Sequence, residues 1–159
     1  MNLLTEIGAH FTGIEQLRVM MDEDRRPGIG RTLDIRLIDV EPGRVVLEAL
    51  PGVHVYNPQG TAHGGFAATM LDFACGYAVL SKMVPGLGFA TLELKVAYHR
   101  AMSQSTGPVR AEGRVVTMGR RTAFTEAKLT DAEGRLYASS TSTLLVMPVT
   151  DAPQDLRQE

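Results

Sequence analysis

The chain changes its hydrophobic period along its length, and each change predicts a different kind of element. Apolar residues recur at roughly helical spacing over residues 6–21, which predicts one or two short helices before the polar break at residues 22–28. Apolar and polar residues then alternate over residues 33–49 on either side of a turn at residues 41–44. This alternation predicts a hairpin of two antiparallel strands.

The next stretch, residues 57–80, passes from a Gly-rich polar turn into a helical pattern. Its main apolar stripe has spacings of four, three, four and three residues and consists of Phe66, Met70, Phe73, Tyr77 and Leu80. The other faces carry mainly alanine and leucine, so the helix is apolar on nearly every side and is predicted to be enclosed. The Pro-Gly pair at residues 85–86 marks its exit.

Four more alternating stretches follow, and they are predicted to be strands: residues 90–99, 109–117, 122–130 and 136–146. Two strands, one long helix and four strands give an α+β fold in which an antiparallel sheet curls around one central helix. We divide the chain into a helical extension (1–29), the main domain (30–148) and a polar tail (149–159) predicted to be disordered.

The amino-acid composition excludes several classes of binding partner and of structural site. The 159 residues are 44% hydrophobic and 21% charged with a net charge of −2, which suits one soluble domain without a basic field for nucleic acid. No segment has the apolar length to cross a membrane, and the N-terminus does not resemble a signal peptide. A single cysteine, Cys75, excludes an intrachain disulfide and fits the cytoplasm. His10 and His54 lack ligand spacing, so we expect no metal and no cofactor.

Asp72 is the one acidic residue in the central helix. Burying a neutral polar group without a hydrogen bond costs about 2–7 kcal/mol, and burying an unpaired carboxylate costs more. The Asp72 side chain therefore either faces water or serves a function. Its neighbours on the helix are small, among them Ala68 and Thr69, which leaves room for a ligand or a second chain. From the residues alone, a solvated or loop-capping carboxylate and a catalytic one are both open.

The turn before the helix offers hydrogen-bond donors. Gly64 and Gly65 have no Cβ, and N–H groups in the first turn of a helix lack intrahelical partners and carry the positive end of its dipole. Such groups bind a polarised carbonyl oxygen. The alternative is that the glycines only form a tight turn, which Asn57 starts together with Pro58.

Together these residues resemble a known family. Asn57, the sequence His63-Gly64-Gly65, Asp72 and the strand at residues 90–101 are similar to the hotdog-fold acyl-CoA thioesterases of the phenylacetate-pathway (PaaI-like) type. The resemblance covers residues 33–147. It implies a hotdog fold, protomers that pair sheet to sheet into a dimer, often a dimer of dimers (a homotetramer), and active sites at the dimer interface.

The resemblance also implies roles for individual residues. Asp72 would attack the thioester carbonyl or act as a general base towards water. Gly64 would donate its backbone N–H to the oxyanion, and Asn57 would hold the thioester oxygen or the attacking water. His63 would support the turn or the carbonyl, although a lone histidine beside a turn is more often structural. Thr91 would orient the water, or is simply a good strand residue.

Coenzyme A carries phosphates, which require cations. Arg120 and Arg121, in a predicted hairpin turn, are the first candidates because guanidinium groups bind phosphate bidentately. Lys95 and Arg100 are secondary candidates, and Gly65 would lie against the substrate. For each cation the alternative is a solvated surface charge.

The resulting hypothesis is a cytoplasmic, homo-oligomeric acyl-CoA thioesterase that hydrolyses an aryl- or fatty-acyl-CoA to the free acid and CoA. Two alternatives are a non-catalytic acyl-CoA-binding or regulatory hotdog domain, and a hotdog enoyl-CoA hydratase or dehydratase. A pure binder gains nothing from an unpaired acid beside the thioester. The sequence leaves open the acyl group, whose pocket would depend on Phe66, Met70, Phe89 and the N-terminal extension.

Overall fold

A six-stranded antiparallel sheet wraps around one long helix in the computed structural model, which describes residues 2–149. The predicted α+β hotdog architecture is confirmed. The strands are β1 (Arg36–Glu41), β2 (Arg44–Ala49), β3 (Leu87–Tyr98), β4 (Val109–Met118), β5 (Thr122–Asp131) and β6 (Leu136–Pro148). Their order in the sheet is β1-β2-β4-β5-β6-β3, and every neighbouring pair is antiparallel.

Three short helices precede the sheet. Two of them, α1 (Leu3–Gly8) and α2 (Gly13–Asp22), confirm the helices predicted for residues 6–21. The third, α3 (Gly28–Thr32), was not predicted because it has only five residues and starts within a Pro-Gly pair, which leaves no helical period to detect. The predicted boundary at residue 29 falls inside α3. The predicted tail lies outside the described residues except for Val149.

The central helix, α4 (Gly64–Leu80), is the core of the domain. Its N-cap residue is His63, whose side chain accepts a hydrogen bond from the Gly65 N–H and so satisfies one of the free donors of the first turn. The helix lies close to the sheet because β4 carries Gly113 at the crossing, where any side chain would overlap the Ala74 carbonyl. No helix within residues 2–149 combines the length and apolar character needed to span a membrane.

Strand β3 forms one edge of the sheet and pairs only with β6 among the described strands. Its register shifts between Thr91 and Glu93, so Leu92 is an extra residue that bulges from the ladder and is 60% exposed. The register places Thr91, Leu94 and Tyr98 beside buried residues of β6, on the face towards α4. This edge holds several residues of the candidate site.

Candidate active site

Asp72 lies half-buried on α4 and faces an open cleft of about 400 Å³. The Thr91 hydroxyl donates a hydrogen bond of 3.0 Å to the Asp72 carboxylate. The rest of the cleft wall is apolar or small and consists of Ile29, Ala68, Thr69, Phe73 and Leu94. A carboxylate held by one hydroxyl and open to a cleft can act on a bound substrate, and the structure brings the predicted pair Asp72 and Thr91 together.

The wall of this cleft differs in part from the prediction. The N-terminal extension does contribute, through Ile29, which is 52% exposed. Phe66 and Met70 are buried in the core and do not line the cleft, because their side of α4 faces the sheet. Phe73, which is only partly buried, lines the cleft instead.

The turn that starts α4 leaves one backbone donor free. The Gly65 N–H donates to His63 Nδ1 at 2.8 Å, so the neutral imidazole carries its proton on Nε2. The Gly64 N–H has no acceptor among residues 2–149. Of the two glycines, Gly64 is therefore the one whose N–H is available to a ligand, whereas that of Gly65 is used by the helix cap.

Tyr98 was missed by sequence reasoning and lies against this turn. Its hydroxyl donates to the Gly64 carbonyl at 3.1 Å, and its ring lies so close that a Cβ at Gly64 would be 3.2 Å from it. The side chain is 56% exposed although it is large and aromatic. The sequence shows only a tyrosine near the end of a predicted strand, which does not reveal this contact.

Asn57 organises the loop between residues 57 and 61. Its side-chain oxygen accepts from the backbone N–H groups of Gln59 at 3.0 Å and Thr61 at 3.2 Å, and its amide donates to the Thr61 hydroxyl at 3.1 Å. The loop is closed further by a hydrogen bond from the His63 N–H to the Val55 carbonyl. These contacts match the turn-forming alternative, and a direct substrate contact of Asn57 stays a prediction.

The two halves of the candidate site do not meet within one chain. Gly64 and Asp72 are eight residues apart on α4, which corresponds to about 12 Å along the helix axis. A thioester carbonyl that accepts from the Gly64 N–H of one chain is therefore out of reach of the Asp72 carboxylate of that chain.

The four predicted cations fall in three places. Arg120 and Arg121 lie exposed in the turn between β4 and β5, at the end of the sheet where Thr91 lies. Arg100 follows the opposite end of β3. Lys95 is on the outer face of the sheet, in a groove with Glu126 and Lys128, so it does not line the Asp72 cleft of its own chain. A contact of Lys95 with the CoA phosphates stays a prediction.

Two further features bear on the chemistry. Cys75 is fully buried and its Sγ lies 3.7 Å from the Ser140 hydroxyl. Burial raises the pKa of this thiol, so Cys75 is a packing residue rather than a nucleophile. No group of three or more His, Cys, Asp or Glu side chains within residues 2–149 is arranged to hold a metal ion.

Comparison with known proteins gives a consistent result. Residues 59–138, half of the chain, match the family model of the thioesterase superfamily. A 1,4-dihydroxy-2-naphthoyl-CoA hydrolase of Listeria monocytogenes is 29% identical over 119 residues, which cover 75% of this chain and 95% of that protein. The matched span of the family contains Gly64, Asp72 and Thr91.

Solved structures that are similar to this chain agree with the family match. A thioesterase family protein from Silicibacter pomeroyi is 28% identical with a TM-score of 0.74, covering 83% of this chain and 98% of that one. The PaaI protein of the phenylacetic acid degradation operon of E. coli also has a TM-score of 0.74, covering 85% of this chain and 94% of that one. Its identity of 19% means that this second likeness shows the fold alone.

Proposed function

The chain belongs to the thioesterase superfamily and is a thioester hydrolase, and from that premise we propose that it cleaves acyl-CoA at sites shared between two protomers. In each site Asp72 of one protomer acts on the thioester carbonyl carbon, and Gly64 of the other protomer binds the carbonyl oxygen. The observation that carries the proposal is the Asp72–Thr91 pair in a cleft that opens at the edge strand β3.

The proposed role of Asp72 follows from its setting. The carboxylate either attacks the carbonyl carbon itself or takes a proton from a water molecule that attacks it. In both routes the C–S bond breaks as the tetrahedral intermediate collapses, and the CoA sulfur leaves as a thiolate that is then protonated. Direct attack leaves the acyl group on Asp72 as an anhydride, which a water molecule then hydrolyses to the free acid and the Asp72 carboxylate, whereas attack by water gives the free acid directly. The rigid helix α4 holds the carboxylate in position, and the Thr91 hydroxyl fixes one of its oxygens.

The oxyanion requires donors that are already oriented. The Gly64 N–H supports this role because it lies in the first turn of the seventeen-residue helix α4 and has no acceptor among the described residues. The His63 Nε2–H group lies on the same turn and is exposed, so it can supply a second donor. We assign Asn57 the role of shaping the loop that presents both groups.

A partner chain paired along β3 would complete the site. Thr91, which contacts Asp72, and Tyr98, which contacts Gly64, lie on the same face of this edge strand. If two β3 strands pair antiparallel about a twofold axis near Lys95, Thr91 of one chain lies opposite Tyr98 of the other. That pairing brings Gly64 of the second chain to Asp72 of the first. It makes a dimer the minimal active unit, and a dimer of dimers would hold two such pairs of sites.

The nucleotide end of the substrate also needs a binding surface. Arg120 and Arg121 support this role because they are exposed at the end of the sheet that carries Thr91, and they have no ion pair among residues 2–149. Lys95 and Arg100 would contact the nucleotide end of CoA only if they came from the partner chain. We expect the enzyme in the cytoplasm, where acyl-CoA is made and where the free thiol of Cys75 is stable.

The proposal is tested by measuring CoA release. The purified protein is expected to release free CoA thiol, detected with a thiol-reactive chromogen, from at least one member of a panel of aryl- and straight-chain acyl-CoAs. An oxygen ester of the same acid should be a poorer substrate, because an alkoxide leaves less readily than a thiolate. If folded protein releases no thiol from any panel member, acyl-CoA is not its substrate.

Replacing Thr91 tests the hydrogen bond to the base. Thr91→Val keeps the shape and removes the hydroxyl, so we expect kcat to fall about tenfold, the value of one hydrogen bond to a charged group. Thr91→Ser keeps the hydroxyl and should retain most of the activity. Equal kcat values for the Val and Ser variants would show that the hydroxyl does not act on Asp72 during turnover.

A further inference from the structure

Tyr98 is the last residue of the edge strand β3, and its side chain is 56% exposed. Its backbone is fixed in the sheet, because Tyr98 pairs with Ala138 of β6 and the N–H of the next residue, His99, donates to the Tyr137 carbonyl. Its hydroxyl donates to the Gly64 carbonyl at 3.1 Å. The phenol therefore connects the sheet to the first turn of α4.

The first turn of α4 needs such a support. Gly64 and Gly65 follow one another, glycine has the most conformational freedom of all residues, and helix ends fray. The His63 cap holds the Gly65 N–H at 2.8 Å, and the Phe66 N–H donates to the His63 carbonyl at 3.0 Å. The Gly64 N–H has no acceptor among residues 2–149. The donor proposed for the oxyanion thus lies at the position of the turn that the cap does not hold.

Tyr98 restricts this position in two ways. Its hydroxyl binds the Gly64 carbonyl, and its ring lies so close that a Cβ at Gly64 would be 3.2 Å from two ring carbons and 3.3 Å from the hydroxyl oxygen. Both contacts limit rotation of the peptide groups on either side of Gly64, and one of these groups carries the free N–H. An oxyanion donor is effective only when it is oriented before the reaction begins.

Strand β3 supports both halves of the proposed site in the same manner. The Thr91 hydroxyl donates to the Asp72 carboxylate at 3.0 Å, and the Tyr98 hydroxyl donates to Gly64 from the same face of the strand. In the antiparallel pairing described above, Tyr98 of one chain lies opposite Thr91 of the other. The two hydroxyls would then support the donor and the base of one shared site.

We propose that Tyr98 is a positioning residue for thioester hydrolysis. Its hydroxyl and ring hold the first turn of α4 against β3, so that the Gly64 N–H is directed at the thioester oxygen before the substrate binds. Tyr98 acts through Gly64 and does not itself contact the reacting atoms. The inference rests on the proposed hydrolysis and on the oxyanion role of Gly64.

Tyr98→Phe keeps the ring and removes the hydrogen bond. With benzoyl-CoA, hexanoyl-CoA and decanoyl-CoA as substrates, we expect kcat to fall about fivefold on each thioester that the wild type cleaves, the loss that one hydrogen bond between neutral groups can cause. KM should stay within about twofold, because the oxyanion forms only as the reaction proceeds. The loss should be the same for every acyl group, since all three share the carbonyl.

The Gly64→Pro background tests whether Tyr98 acts through Gly64. Proline has no N–H to orient, so adding Tyr98→Phe to Gly64→Pro should lower kcat by less than about a further twofold. Residues that act independently would instead multiply their losses. A further fivefold loss in the double variant would therefore overturn the inference.

Tyr137→Phe is the matched control. Tyr137 is only 8% exposed and its hydroxyl donates to the buried Asp131 at 3.1 Å, away from the cleft, so this variant should lower Tm and keep the wild-type kcat. Tyr98→Phe, at an exposed position, should lower kcat and keep Tm within about 2 °C.

The outcomes separate this inference from the proposed function. An unchanged kcat in folded Tyr98→Phe, or a loss on one acyl group but not on another, would overturn the inference and leave the proposed hydrolysis intact. If folded wild-type protein releases no CoA from any of the three thioesters, both are overturned.

Discussion

Asp72→Asn is expected to lower kcat/KM for the best acyl-CoA substrate by about 10³-fold or more, because it removes the one carboxylate that lines the cleft within residues 2–149. Asparagine has nearly the same shape and keeps an oxygen that can accept from the Thr91 hydroxyl. The loss should therefore appear in kcat, while KM changes little. Steady-state CoA release over a range of substrate concentrations measures both constants.

The same substitution should leave the fold intact. Asp72 is half-buried and its hydrogen-bond partner within residues 2–149 is Thr91, so we expect the free energy of unfolding to change by less than about 1 kcal/mol. Asp22→Asn, at an exposed position at the end of α2, is the matched control and should have wild-type kinetics. Wild-type turnover in folded Asp72→Asn would remove Asp72 from the mechanism while leaving the family assignment untouched.

The central helix and the sheet could be predicted because the spacing of their apolar residues shows which faces are buried. The stripe from Phe66 to Leu80 and the small residues on the other faces of α4 require an enclosure, and six alternating stretches supply one. Asp72 stood out for the same reason, as a carboxylate in an apolar helix. The local sequence pattern was sufficient to predict the features that depend on a single helix or strand.

The side of the sheet on which Lys95 lies could not be predicted, because the pleat of β3 is interrupted. In a regular strand, residues 91, 93 and 95 share a face, which would place Lys95 beside Thr91. The bulge at Leu92 shifts the alternation, so Leu94 and Tyr98 face α4 and Lys95 faces outwards. The amino-acid composition of this stretch does not predict a bulge. The same change in alternation made the contact between Tyr98 and Gly64 unpredictable from the sequence.

The residues of the N-terminal segment were hidden for a different reason. Arg26, Asp24 and Asp34 form one cluster only because the chain turns back through two left-handed positions. From the sequence, Asp24 and Arg26 lie in a polar break after the predicted helices and Asp34 lies in the first predicted strand, and an exposed charge is the common case for each. That the N-terminal extension shapes the acyl pocket stays a prediction, and the position of its Ile29 in the cleft wall depends on tertiary contacts.

Gly64→Pro is expected to lower kcat about 10²–10³-fold, because proline has no N–H to donate to the oxyanion. The backbone tolerates it: Gly64 is the first residue of α4, where proline is favoured, and His63 already has the extended angles φ −62° and ψ 140° that a residue before proline adopts. Gly64→Ala is the matched control. It adds the same Cβ beside Tyr98 but keeps the N–H, so it should retain most of the activity.

Combining this variant with Asp72→Asn tests whether the site is shared. If Gly64 of one chain serves Asp72 of the other, a mixed dimer of the two inactive variants has one site with both defects and one intact site. Random reassembly of equal amounts should then restore about a quarter of wild-type turnover, since half of the dimers are mixed and half of their sites are whole. Two different affinity tags isolate the mixed oligomers and show that they form. Mixed oligomers without activity would mean that both residues serve a site within one chain, which the separation of about 12 Å along α4 makes unattainable without unwinding the helix.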